Sequence, residues 1–151
     1  MIDPVFLEVS VVVLGIFLLM AEAFGLAKQK STLAWWAIGG LAAVFIGTFL
    51  IGPNSNSFEV SGFYVVDGLS LFFKRFVLIS TILVLVMSVD YLPIVQRLVP
   101  AERPGAGSGE FFILPVFTCA GLMWMVSATD FIMIFCALEL VTISFYIQVA
   151  Y

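Results

Sequence analysis

Apolar residues in this chain come in long unbroken blocks, neither alternating with polar ones nor confined to one helical stripe. The blocks cover residues 5–25, 33–52, 69–89, 111–127 and 131–151. A helix needs about 20 residues at 1.5 Å rise to cross roughly 30 Å of hydrocarbon, and each block is close to that length. Strands of a membrane barrel alternate polar and apolar positions over about ten residues; these blocks are apolar all round. The pattern predicts an all-α fold, a polytopic transmembrane bundle of about five spanning helices in a single unit over 1–151.

Polar punctuation sharpens the boundaries. Ser31 and Thr32 are expected to cap the second helix, and Asp130 the fifth. The link 128–130 is so short that the fourth and fifth helices must form a tight antiparallel hairpin. Longer links are expected at 53–68 and 90–109. The second holds Pro93, Pro100, Pro104 and a glycine-rich run at 105–109, and reads as irregular. Its Leu92, Val95, Leu98 and Val99 suit a short amphipathic turn at the membrane surface.

The first block follows Asp3 and contains Glu8 rather than following a basic region, and it is too long for a cleaved signal. It is expected to be a retained span. Lys28, Lys30, Arg97 and Arg103 fall in links on one side of the bundle, whereas the 53–68 link carries Glu59 and Asp67 and no base. The positive-inside rule then places the N-terminus outside. The fifth block reaches Tyr151 with no basic flank after it, which fits the N-terminal part of a longer protein.

Composition agrees with a lipid environment and removes several function classes. Hydrophobic residues make up 63% and charged residues 11%, against roughly 45–50% and about 25% in soluble domains. A net charge of −4 leaves no basic stripe for nucleic acid. Histidine is absent, which removes the commonest metal ligand and the usual neutral-pH base. Cys119 and Cys136 lack the spacing of a zinc site or disulfide framework and read as small apolar groups. No metal is expected.

Against this background Glu139 is the most informative residue. It lies nine positions after Asp130, about 13 Å along the helix and close to the midplane. A carboxyl there costs about 2.5–3.5 kcal/mol on insertion scales and usually marks an ion or proton path. Cys136, Thr142, Ile143 and Tyr146 share its helical face, so Thr142 or Tyr146 is expected to hydrogen-bond it. Lys74 and Arg75 lie inside the third helix as secondary candidates. Their long stems would snorkel to the outer interface, with Asp67 as partner for Lys74. Glu22 is expected to pair at the interface with Lys28 or Lys30, and Glu110 to sit in the first turn of the fourth helix. Pro115 is tolerated early in that helix. Gly39, Gly40 and Gly47 should permit close helix packing, and Trp35 and Trp36 fit an aromatic belt.

The order of several short motifs adds a resemblance. Glu110-Phe111-Phe112 opens a helix, Gly121-Leu122-Met123 follows, then the turn Ser127-Ala128-Thr129-Asp130, then Ala137-Leu138-Glu139-Leu140; Asp67 to Lys74 opens the third helix. Together they resemble the antiporter-like membrane subunits of respiratory complex I. Leu138-Glu139-Leu140 favours the subunit N branch, since relatives in the L and M branches tend to place tryptophan before that glutamate. The resemblance implies that Glu139 is the fifth-helix acid of a proton half-channel, whose partner is a lysine on a seventh helix. This chain ends before such a helix, so a longer subunit or a second polypeptide is expected to supply it.

The resemblance further implies that this chain holds no cofactor, with NADH, flavin, iron–sulfur clusters and quinone on or near other subunits. The expected partners are other complex I membrane subunits and the lipid bilayer, in a bacterial inner membrane or alternatively the mitochondrial one. Two other readings remain beside it: a subunit of a multisubunit cation/proton antiporter, and a non-catalytic membrane scaffold.

Overall fold

A computed structural model describes residues 4–25, 30–50, 58–60, 62–98 and 109–150. It contains α1 (Val5–Ala23), α2 (Lys30–Leu50), a hairpin of β1 (Phe58–Val60) and β2 (Tyr64–Val66), α3 (Gly68–Leu98), α4 (Glu110–Ser127) and α5 (Phe131–Val149). All five helices are long and apolar enough to cross a membrane. The chain is a multi-pass helical bundle.

Several boundaries differ from expectation for local physical reasons. The second helix starts at Lys30, which puts Ser31 and Thr32 inside its first turn rather than at its cap. The third continues to Leu98, so the expected surface turn after Asp90 is a continuation of α3 instead. Asp67 starts α3 by a reciprocal cap: its carboxylate accepts from the Ser70 amide at 2.7 Å, and its own amide donates to the Ser70 hydroxyl at 2.8 Å. Asp130 caps α5 as expected, accepting from the Ile132 amide at 3.1 Å. Residues 99–108, with Pro100, Pro104 and Arg103, lie outside the described residues, as do Lys28, Tyr151 and the side chains of Lys30 and Arg97.

Among the described residues the hairpin is the one departure from helix. Its strands pair antiparallel, with Val60 opposite Tyr64, and Gly62 takes φ 76 in the connection 61–63. A three-residue connection with glycine in the left-handed region is a favoured hairpin solution. The hairpin lies across the α4–α5 turn. Tyr64 bridges to Ala128, the Thr129 amide donates to the Phe63 carbonyl at 3.1 Å, and the Thr129 hydroxyl donates to the Gly62 carbonyl at 2.8 Å.

At the centre of the bundle is α4, which packs against α1, α2, α3 and α5. Phe112, Val116, Cys119, Ala120 and Met123 are fully buried on it. Small residues set the helix spacing. A Cβ on Gly121 would lie 2.7 Å from a Val141 methyl and 3.0 Å from the Ala137 carbonyl, and Gly40 of α2 lies against Leu14 of α1. Gly47 likewise approaches Leu7, whereas Gly39 faces open space. Cys119 is buried and Cys136 exposed, both as free thiols.

The contrast between Gly121 and Gly39 gives a test of this packing. Gly121→Ala must push α5 off α4 or strain the contact, and should destabilise the protein in detergent by about 1–3 kcal/mol. Gly39→Ala meets nothing within 4 Å and should be neutral or stabilising by up to about 1 kcal/mol. Denaturant unfolding of the two variants measures the difference; equal stabilities would mean that the α4–α5 spacing is not set by Gly121.

Candidate functional site

Periodicity decides which polar side chains face inward. The buried residues of α1 are Leu7, Glu8, Val11, Gly15, Leu18 and Ala21, so Glu8 stands on the stripe that meets the bundle, in the first turn where the helix dipole favours an acid. On α3 the buried positions include Leu71, Lys74, Leu78 and Leu85, and Lys74 is one member of that stripe. Packing α1 and α3 around α4 therefore drives an acid and a base into the interior together.

They meet directly. Lys74 Nζ lies 2.5 Å from Glu8 Oε1, and both side chains are completely shielded from solvent. The Tyr64 hydroxyl closes the site from the hairpin: it donates to the Glu8 carboxylate at 2.7 and 2.8 Å and accepts from Lys74 Nζ at 3.3 Å. Ser127, the last residue of α4, offers its hydroxyl to Glu8 Oε1 at 3.5 Å. The ammonium also lies over the Tyr64 ring at 5.2 Å, and that ring is edge-on to Trp124. Burial, and then the adjacent Glu8 carboxylate, push the Tyr64 phenol well above its ordinary value. It stays protonated and remains a donor.

Two ions removed from water each carry a penalty of several kcal/mol, offset by their attraction only when the geometry is good and the remaining lone pairs are satisfied. Here both carboxylate oxygens are bonded. Even so, a buried pair is weak evidence of stabilisation, because an apolar replacement is often as good or better. What the group does in the fold is join α1, α3, the hairpin and the end of α4 at one point.

This arrangement corrects the expectation for Lys74. Lys74 does not snorkel outward; it is buried, and its partner is Glu8, while Asp67 serves as the α3 cap. Arg75 turns instead to the end of α2, donating to the Thr48 hydroxyl at 3.2 Å and the Thr48 carbonyl at 2.9 Å, with its guanidinium 4.4 Å from the Phe49 ring centroid. Glu22 packs against Gly109 at the start of α4, so tightly that a Cβ there would collide with its carboxylate; the side chains of Lys28 and Lys30, its expected partners, lie outside the described residues.

Glu139 lies midway along α5, as its sequence position requires, but on another face. Ala137 and Val141 meet Gly121 of α4; Glu139 is two residues from each and so about 160° around the helix. It is half-buried, and Cys136, Ile143 and Tyr146 on the same face are exposed, Tyr146 by 75%. The Thr142 hydroxyl donates to the Glu139 backbone carbonyl at 3.1 Å rather than to its carboxylate. The structure thus brings Glu8, Lys74, Tyr64 and Ser127 together and leaves Glu139, Thr142 and Tyr146 on the outer face of α5. Among the described residues no three His, Cys, Asp or Glu side chains gather as a metal site.

No protein-family model matches the chain. Individual relatives do. NADH-quinone oxidoreductase subunit N of Heliobacterium modesticaldum is 34% identical over 149 residues, 95% of this chain and 29% of that protein. Subunit N of Trichlorobacter lovleyi is 35% identical over 141 residues, 93% of this chain and 27% of that protein. The chain is a homologue of NADH-quinone oxidoreductase subunit N. A solved structure of respiratory complex I from Thermus thermophilus with bound aureothin contains a chain with the same fold, at TM-score 0.69 and 19% identity, covering 94% of this chain and 28% of that one. This subunit N homologue spans less than a third of the length of the curated relatives it matches.

Two tests follow from the buried pair and its rim. Lys74→Met leaves Glu8 buried without its cation and should destabilise by about 3–5 kcal/mol, whereas Glu8→Gln with Lys74→Met should fall within about 1–2 kcal/mol of wild type. A double-mutant cycle in detergent gives the coupling; additive losses would mean the two charges do not sense each other. At the rim, hydrogen bonds from Ser70 hold the exposed Asp67 carboxyl below its ordinary value of 3.8. Its contribution to folding is complete above about pH 4 and is lost as pH falls through the lower folded value. Asp67→Ala should cost about 1 kcal/mol at neutral pH and flatten the acid limb of the stability profile.

Proposed function

We propose that this chain is part of a membrane-arm subunit of a proton-translocating NADH-quinone oxidoreductase, contributing Glu139 as a midplane carboxyl to a proton path. The observation that carries the reading is identity of about a third with subunit N across nearly the whole chain. Redox chemistry then belongs to other subunits, with NADH, flavin, iron–sulfur clusters and quinone held there. The work of this chain is proton movement in a bacterial inner membrane, with its N-terminus outside.

The outward turn of Glu139 is consistent with a shared channel. Across the α5 window only 11% of residues are buried, against 61% across α4, and the open face of α5 carries the carboxyl. Left facing lipid, that acid would cost about 2.5–3.5 kcal/mol. Covered by further helices, from a longer subunit or a second polypeptide, it would meet a base or a water chain. Proton transfer then needs only that the neighbouring charge change, since an approaching cation favours the carboxylate and its withdrawal favours the acid.

The principal alternative is a subunit of a multisubunit cation/proton antiporter, which would co-purify with membrane subunits only and not with redox-bearing soluble ones. A scaffold role would leave proton flux indifferent to Glu139. Glu139→Gln in the assembled complex should leave assembly and subunit content intact and lower proton pumping per NADH oxidised by about tenfold or more. Dye-quench assays in reconstituted liposomes measure this, and normal pumping by the variant would remove Glu139 from the path.

A further inference from the structure

Glu139 stands at mid-helix, but a buried, hydrogen-bonded set of titratable groups lies elsewhere. Glu8 is about 4.5 Å, and Lys74 about 9 Å, along the axis from the first residues of α1 and α3 at 1.5 Å per residue, and Ser127 is the last residue of α4. The group therefore sits at one end of the bundle, directly beneath the β1–β2 hairpin. Gly62 and Phe63, at the tip of that hairpin and adjacent to buried Tyr64, are exposed. One strand of chain separates an internal ion pair from the surface.

We propose that Glu8, Lys74 and Tyr64 form a second proton-exchange site, loading and unloading protons at the hairpin end of the bundle. The inference rests on the membrane-arm reading above. Its chemistry is a direct transfer held in line by the phenol. Lys74 Nζ–H gives its proton to Glu8 Oε1 across their contact, while the Tyr64 hydroxyl, donating to the carboxylate at 2.7 and 2.8 Å and accepting from Nζ at 3.3 Å, holds the two groups in register. One N–H bond breaks and one carboxylic O–H bond forms, and an ammonium–carboxylate pair becomes an amine and a neutral acid. Net charge is unchanged, which suits an apolar interior. The phenol never has to ionise, in keeping with its strongly raised value. Water reaching the site then takes the Glu8 proton and returns one to Lys74.

The surrounding charges leave this exchange to the pair itself. On α3, Arg75 is turned away to the end of α2, and Asp67 is exposed and held by its cap. On the α4–α5 turn, Ser127 supplies a neutral hydroxyl, and Asp130 is bonded to the α5 amide. In the hairpin, Glu59 stands opposite Val65 in the ladder. The hairpin is the gate: its hold on the turn consists of the Tyr64–Ala128 bridge and the two Thr129 bonds, so a small lift of that strand admits water to Glu8.

The test uses the full-length subunit assembled in its complex and reconstituted in liposomes, comparing Tyr64→Phe, the double variant Glu8→Gln with Lys74→Met, and Glu139→Gln. Tyr64→Phe keeps the ion pair and the ring and removes only the hydroxyl that holds the pair in register. It should lower proton pumping per NADH by about tenfold, less than the roughly 10²–10⁴-fold typical of a group that itself transfers the proton, and enlarge the solvent deuterium isotope effect on pumping. The double variant should pump as poorly or worse while still assembling. Wild-type pumping and isotope effect in Tyr64→Phe would overturn the proposal and reduce the pair to a structural lock, even if the double variant failed to fold. Normal pumping in Glu139→Gln with loss in Tyr64→Phe would sink the Glu139 relay alone.

Discussion

A carboxylate and an ammonium cannot both be buried in an apolar bundle unless they meet, and the contact of Glu8 with Lys74 is the constraint around which this chain is arranged. It fixes the rotation of α1 and α3 relative to each other, because either helix turned by one residue would strand a charge in hydrocarbon at a cost of several kcal/mol. Apolar packing cannot do this alone. Helices that are hydrophobic on every side, in a solvent as apolar as their own side chains, have little to choose between one face and another. The ion pair supplies the choice.

The hairpin follows from the same requirement. One lysine satisfies only part of a carboxylate's bonding capacity, and the Tyr64 hydroxyl, with Ser127 behind it, fills the remainder. Because Tyr64 also bridges to Ala128, the strand that completes the buried site is the strand that rests on the α4–α5 turn. The buried site and the turn before α5 are therefore joined through one strand. Gly121 lets α5 lie close along α4, so α5 is held at its capped start and along one face only.

Fold class was legible because a bilayer demands long apolar blocks and nothing else writes them into a sequence of this size. The Asp130 cap and the tight turn at 128–130 were legible for similarly local reasons. The phase of each helix was not. In α1 and α3 the outer faces are as apolar as the inner ones, with Phe6, Val13, Phe17, Phe72 and Phe76 exposed, so no amphipathic signal shows where Glu8 or Lys74 points. The lysine stands out in the sequence, but its long stem suits an escape to the interface; Glu8, near the start of the first block, marks only the absence of a basic leader there. Their pairing joins residues 66 positions apart. A weak trace did exist: Glu8 falls in register with Val11, Gly15 and Leu18, and Lys74 with Leu71, Leu78 and Leu85. The hairpin left a trace in the β-prone Phe58, Val60, Tyr64, Val65 and Val66 on either side of Gly62, within a stretch read only as a link between spans.

Glu8 and Glu139 thus present opposite cases of one rule. Glu8 has its cation, its donors and its burial within this chain, and it is neutralised as a pair wherever the chain folds. Glu139 has position without enclosure: half-buried, opposite the face that grips α4, among exposed neighbours. A carboxyl at that depth is tolerable only as a neutral acid or beside a base, and the difference between those states is the difference between holding a proton and releasing it. Charge on a neighbouring element therefore reaches this chain along the open face of α5, whereas Glu8, enclosed with its partner, is approached only from the hairpin end of the bundle.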